Sequence, residues 1–139
     1  MGRLSPRRQG DLGEQSALDW LVWNGYAVYL PFGHSPDTDI VAERDGRLLR
    51  IQVKTSGVRR ADRWEFSICT RGGNQSWNGL VKRFAADRCD YLFAVAANGR
   101  RWFIPAPAVD GGTHVCLGGP KYAPYEVEPG RAFERSAEP

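Results

Sequence analysis

The stretch Asp39 to Thr55, DIVAERDGRLLRIQVKT, constrains the fold of this chain more than any other. Asp45-Gly46 sits between two runs rich in apolar and β-branched residues. Such a pair supplies the two positive-φ positions of a tight two-residue turn, so the flanking runs read as antiparallel strands of one hairpin. A two-residue loop also sets register. Arg44 then faces Arg47, and each step outward pairs one residue back with one residue on. Asp39 falls opposite Gln52, and Asp37 opposite Lys54 if the ladder runs that far. Opposed residues share a sheet face, with Cβ atoms about 4.5–5.5 Å apart. Leu49, Ile51 and Val53 point to the other face, which is apolar enough to bury.

The polar face therefore gathers Asp39, Gln52 and Lys54 beside a bend at Pro36. Two readings are open. A half-exposed antiparallel strand routinely carries polar residues on its wet side. The same residues could instead form a site. Glu14 bears on the choice. The stretch Asp11 to Asn24 has helical periodicity, with Ala17, Leu18, Leu21 and Val22 on one stripe and Gly25 as a terminator. Glu14 lies at i, relative to Ala17, Leu18 and Leu21 at i+3, i+4 and i+7. It could close a capping box with Asp11 as N-cap. A carboxylate flanking a buried stripe otherwise needs a partner or a metal. If the helix packs on the sheet, Glu14 leans over the Asp39–Gln52 cluster.

Further along, Tyr26–Phe32, Arg63–Thr70, Asp90–Ala97 and Arg100–Ala106 read as strands, the last two joined by Asn98-Gly99. Leu80–Arg88 reads as a short helix, and the last 30 residues as loops with short strands. Residues 1–9 are polar and Arg-rich and read as a loose basic arm, leaving 10–139 as a single domain. Helix, strands, helix, strands predicts α/β with a mixed sheet, not repeated βαβ units. With 42% hydrophobic and 25% charged residues the chain can bury a core and is not of disordered composition.

Several function classes find no support. No apolar run approaches the roughly 18 residues of a membrane span, and no secretory h-region is visible. Three widely spaced cysteines, an odd number, predict reduced thiols and a cytoplasmic protein. Two histidines make a structural zinc site improbable. There is no GxSxG, no P-loop and no cysteine with a nearby histidine. A net charge of +3 permits nucleic-acid binding without requiring it.

Glu14, Asp39 and the triplet Gln52-Val53-Lys54 together resemble the PD-(D/E)XK nuclease superfamily, whose pattern is a helix glutamate, an aspartate opening one strand and (D/E)xK on the next. GDLGEQSALDWLVWNGYAVYLPFG, TDIVAERDGRLLRIQVKTS and DYLFAVAANGRRWFIPA follow in order, over roughly residues 8 to 106. The look is closest to the group I intron-associated homing endonuclease branch, which carries QxK. Holliday-junction resolvases are the next closest. Pro36-Asp37 could be the literal "PD"; Asp39 fits better, because register sets it against Gln52 and it opens the apolar run Ile40-Val41-Ala42.

The resemblance implies a restriction-endonuclease-like core, a mixed β-sheet flanked by helices, and a Mg²⁺-dependent DNA endonuclease, with Mn²⁺ as a substitute ion. It implies Asp39, Gln52, the Val53 carbonyl and Glu14 as metal ligands, with Lys54 orienting the attacking water. Gln52 departs from the superfamily's usual acid, since an amide oxygen can ligate Mg²⁺ but brings no charge. That keeps open a DNA-binding module of this fold without catalysis. The resemblance implies double-stranded or branched DNA as substrate, and cutting two strands calls for a homo-oligomer, dimer or tetramer. Phosphate contacts are expected from Arg7, Arg8, Arg59, Arg60, Arg71, Lys82 and Arg83, with Arg63, Arg100 and Arg101 as further basic candidates. The loop Arg71–Gly79, with Gln75 and Trp77, could enter a groove, or Trp77 could pack in the core.

Overall fold

Ser5 and Pro6 start the first element. The Ser5 hydroxyl accepts the Arg8 N–H at 3.1 Å, and Pro6 occupies the first turn of α1 (Pro6–Trp23). A hydroxyl cap followed by a residue with preset φ is a strong helix start. It places the beginning five residues before Asp11, so Pro6–Gln9 are helical and not part of an arm. Asp11 and Glu14 then lie inside the helix, where neither can serve as its N-terminal cap. Gly25, at φ +85°, follows the C-cap Asn24 as expected. The computed structural model describes residues 4–33, 35–71, 81–82, 84, 88–110 and 112–133.

The strands, in chain order, are β1 (Ala27–Tyr29), β2 (Ile40–Arg44), β3 (Arg47–Ser56), β4 (Arg59–Arg60), β5 (Arg63–Ser67), β6 (Thr70–Arg71), β7 (Val81–Lys82), β8 (Tyr91–Ala96), β9 (Arg101–Pro105), β10 (His114–Leu117) and β11 (Glu126–Val127). The main sheet has the order β1-β2-β3-β8-β9-β11, and a smaller one β10-β5-β4. The Asp45-Gly46 turn forms, with φ of 54° and 77°, and Arg44 faces Arg47. β3 and β8 are parallel and the other pairs of the main sheet antiparallel, so the sheet is mixed.

α1 buries Gly13, Ala17 and Leu21 against one face of this sheet, over Ile40, Ala42, Ile51, Phe93 and Val95. Val22, expected on the buried stripe, is 57% exposed. On the other face Leu92, Ala94, Trp102 and Ile104 pack with Trp64, Phe66 and Leu117 of the small sheet. β8 is thus covered on both sides, which is why its sequence, YLFAVA, is nearly all apolar. Among the described residues α1 covers one face of the main sheet and the small sheet the other, within the restriction-endonuclease-like α/β plan. The helix expected over Leu80–Arg88 is absent where it can be seen. Val81–Lys82 pairs with Thr70–Arg71 as strand, and Phe84 N–H donates to the Gly112 carbonyl at 3.1 Å, so these backbone groups find their partners across the chain. No helix among the described residues is long and apolar enough to cross a membrane, and Cys69, Cys89 and Cys116 are free thiols.

Candidate active site

The site begins where two strands part. β2 stops at Ile40, paired with Ile51, whereas β3 continues to Ser56. Beyond that point the β2 side of β3 would present bare backbone. Asp39 covers it. Its own N–H donates to the Ile51 carbonyl at 2.9 Å, and its carboxylate accepts the Val53 N–H at 2.7 Å. A charged acceptor makes this a strong bond. Within a strand, N–H and C=O of one residue point the same way, so the Val53 carbonyl is directed to the side where Asp39 lies. Asp39 is therefore not set in a ladder pair with Gln52, and the ladder never reaches Asp37 and Lys54. The chain bends at Pro36 and Asp37 and leaves the sheet before either pair can form.

Glu14 reaches the same place from α1. It is half-buried, and its carboxyl is held above the ordinary glutamate range by that burial first, then by the negative charges of Asp39 and Asp11. A carboxylate kept ionised against such a neighbourhood weakens the fold at neutral pH. The raised value means that the penalty is present above it and fades as pH falls and the folded protein takes up the proton. Glu14→Gln is accordingly expected to raise the melting temperature of the metal-free protein near pH 7. The gain should shrink towards pH 4, and a melting temperature no higher than wild type at pH 7 would contradict the repulsion.

Gln52 and Lys54 approach from the opposite face. α1 packs on the Ile51, Val53 and Thr55 side of β3, and side chains alternate along a strand. Gln52 and Lys54 therefore face the small sheet, where Ser56 donates to the Glu65 carbonyl and Lys54 Nζ lies 3.5 Å from the Cys69 carbonyl. Glu14, on the helix side of the sheet, feels the negative charge of Asp39. Gln52 is only 6% exposed, which removes the solvated-strand reading for that residue. Asp39 is joined to β3 at Val53, Glu14 lies on the helix side of the sheet, and Gln52 and Lys54 lie on the side of the small sheet.

Among the described residues no three His, Cys, Asp or Glu side chains form a metal-holding group. That follows from the composition of the candidate site, which has two carboxylates, Asp39 and Glu14, and an amide at Gln52. With the Val53 carbonyl the donors are all oxygens. Such a set suits a hard divalent cation, with less negative charge than a three-acid site would offer.

The basic residues divide. Arg7, Arg8, Arg59 and Arg60 are exposed. Arg59 stacks over Trp64 at 4.6 Å, and Arg60 pairs with Glu65 at 2.7 Å. Arg71 and Lys82 belong to the β6–β7 pair. Gln75, Trp77 and Arg83 lie outside the described residues. Arg101 is not a surface cation. It is 4% exposed and ties α1 to the segment after β11 through the Ser16 and Glu128 carbonyls and Asp19. Arg100 is taken up by Glu126, with two bonds of 2.8 Å. Adjacent arginines give no sign in sequence of which one is buried, because the packing of α1 over β9 decides it. Thr55, which touches Gly13 of α1, also carries no sequence signal of its own.

The edge of β3 is capped by Asp39, with Lys54 one residue beyond the Val53 N–H that Asp39 holds. The sequence profile of PD-(D/E)XK endonucleases matches residues 4–102, and the chain belongs to that family. Among solved structures it is similar to the bacterial homing endonuclease I-Ssp6803I, with a TM-score of 0.75 at 20% identity over 88% of this chain and 89% of that one. The resemblance drawn from Glu14, Asp39 and Gln52-Val53-Lys54 is thus met in family and in fold. A search of curated protein sequences gives no match.

Proposed function

We propose that this endonuclease is a Mg²⁺-dependent, homing-endonuclease-like enzyme that hydrolyses phosphodiester bonds of DNA at the Asp39–Lys54 edge. The observation that carries the reading is the Asp39 carboxylate bound to the Val53 N–H at 2.7 Å, one residue before Lys54. That bond holds Asp39 and the (D/E)xK-like triplet as one rigid unit, as preorganised catalysis requires. Asp39, Glu14, Gln52 and the Val53 carbonyl are the groups that would hold the ion. A bound Mg²⁺ supplies charge at the scissile phosphate and lowers the cost of ionising a water.

The chain's own residues do the rest. Lys54 places a mobile positive charge where negative charge develops on the pentacoordinate phosphorus, and orients the attacking water. Asp39 and Glu14 accept hydrogen bonds from that water's shell. Arg7, Arg8 and Arg59 are exposed cations suited to neighbouring phosphates. A two-fold dimer supplies the second site that cutting both strands demands. Incubation with supercoiled plasmid and with four-way junctions, each with Mg²⁺, Mn²⁺ or EDTA, tests the function, and light scattering on DNA tests the dimer. Cutting that persists in EDTA would refute the proposal. Preference for junctions would favour a resolvase, and metal-independent binding without cutting a DNA-binding module.

Gln52 gives a sharper test. Gln52→Glu restores a third acid and is expected to keep cleavage while lowering the Mg²⁺ concentration needed for half-maximal rate. Gln52→Ala should slow single-turnover cleavage about 10–100-fold, the usual loss when a group supporting a metal is removed, with DNA binding retained. Wild-type metal dependence in both variants would take Gln52 out of the site.

A further inference from the structure

The geometry points to Gly13 as a positioning residue of the active site: its missing side chain lets α1 sit close to β3, which fixes where the next residue, Glu14, stands over the sheet. The inference rests on the proposed role of Glu14. Gly13 is buried in the middle of α1. A Cβ built there would fall 1.8 Å from Thr55 Cγ2 and 3.1 Å from Thr55 Cβ. Turning Thr55 about χ1 moves the methyl but leaves its Cβ where it is, and a β-branched side chain has few rotamers to choose from. Thr55 itself is locked in β3 opposite Val95 of β8. With the strand held on that side, the helix must give way.

Glu14 is the next residue, so a helix pushed off β3 takes the Glu14 carboxylate with it. Gly10, one turn earlier, meets nothing within 4 Å, so close approach is a property of position 13 and not of every glycine in α1. Further down the same stripe, Ala17 and Leu21 are fully buried. Glycine is also a poor helix former beside alanine. A position in mid-helix that served only to continue the helix would be better filled by alanine.

The test compares Gly13→Ala, Glu14→Gln, Gly13→Ala/Thr55→Ala and Gly13→Ala/Thr55→Val. Each is read by calorimetric Mn²⁺ binding to the DNA-free protein, by single-turnover cleavage and by melting temperature. Gly13→Ala is expected to weaken Mn²⁺ binding about 10–100-fold and to slow cleavage about 10²-fold, as displacements near 1 Å do. Thr55→Ala removes the methyl that the new Cβ meets and should restore most of both. Thr55→Val keeps a branch in its place and should restore neither. Wild-type Mn²⁺ binding in Gly13→Ala, with Glu14→Gln impaired, overturns the positioning role and leaves the site intact. Wild-type binding and cleavage in Glu14→Gln overturns the site and the inference together. If Gly13→Ala does not fold, the Thr55→Ala partner decides: a recovered fold with recovered Mn²⁺ binding supports the inference, and a recovered fold without it overturns it.

Discussion

Lys54→Ala is expected to slow single-turnover cleavage by about 10²–10³-fold, the loss typical when one preorganised donor to developing negative charge is removed. The fold should survive. Lys54 is half-buried at the edge of the small sheet, and its ammonium lies 3.5 Å from the Cys69 carbonyl, long for a charge-assisted bond. Little native stability depends on that contact. Its four-carbon stem leaves the charge able to swing towards a phosphate, as a point charge can and a planar guanidinium does less freely. Lys54→Arg keeps the charge but not the shape, and should recover only part of the rate. Metal binding to the DNA-free protein should be little changed in either variant, since an ammonium is no ligand. Full activity in Lys54→Ala, measured as a single-turnover rate at saturating Mg²⁺, would remove Lys54 from the mechanism.

Asp39 carries two roles, and a pair of variants separates them. Its carboxylate caps the Val53 N–H, and under the proposed function it is also an oxygen donor to the metal. Asp39→Asn keeps a carbonyl oxygen able to accept that N–H but loses the charge. It should fold like wild type and lose cleavage about 10²–10³-fold, because a bound cation contributes several kcal/mol and each ~1.4 kcal/mol is tenfold in rate. Asp39→Ala loses the acceptor as well. It should match Asp39→Asn in activity and be less stable by about 1–3 kcal/mol, the cost of an N–H left without its partner. Equal stability of the two variants in denaturant melts would mean that the 2.7 Å bond does not hold β3. Retained cleavage in Asp39→Asn would mean that the charge is not needed.

Both predictions depend on how the strand edge is built, and the sequence shows only half of that edge. The bend at Pro36 and the aspartate that follows can be read residue by residue. That Asp39 would hold the Val53 N–H, and not stand opposite Gln52, follows from β2 ending at Ile40. A strand's end is set by where the chain must go next, which no alternation pattern contains. The burial of Gln52 has a similar origin. Alternation put it on the polar side of β3; the small sheet, built from segments that follow β3 in the chain, then covered that side.

By itself the sequence determined what is local. Asp45-Gly46 demands a tight turn because its two positions need positive φ, and the register of Arg44 with Arg47 follows at once. Ser5-Pro6 carries a helix start in the same way, a hydroxyl cap followed by a preset φ. The order of Glu14, Asp39 and Gln52-Val53-Lys54 was enough for the family, because the spacing of chemistry along a chain survives without any knowledge of packing. Tertiary structure alone decided which faces meet. The parallel pairing of β3 with β8, the burial of Arg101 beside an ion-paired Arg100, and the coupling of Glu14 to Asp39 join segments far apart in the chain. Such relations are selected by the packing of α1 and the two sheets around shared apolar faces. Side-chain volume at single positions sets those distances, and at Gly13 the absence of a side chain sets one of them.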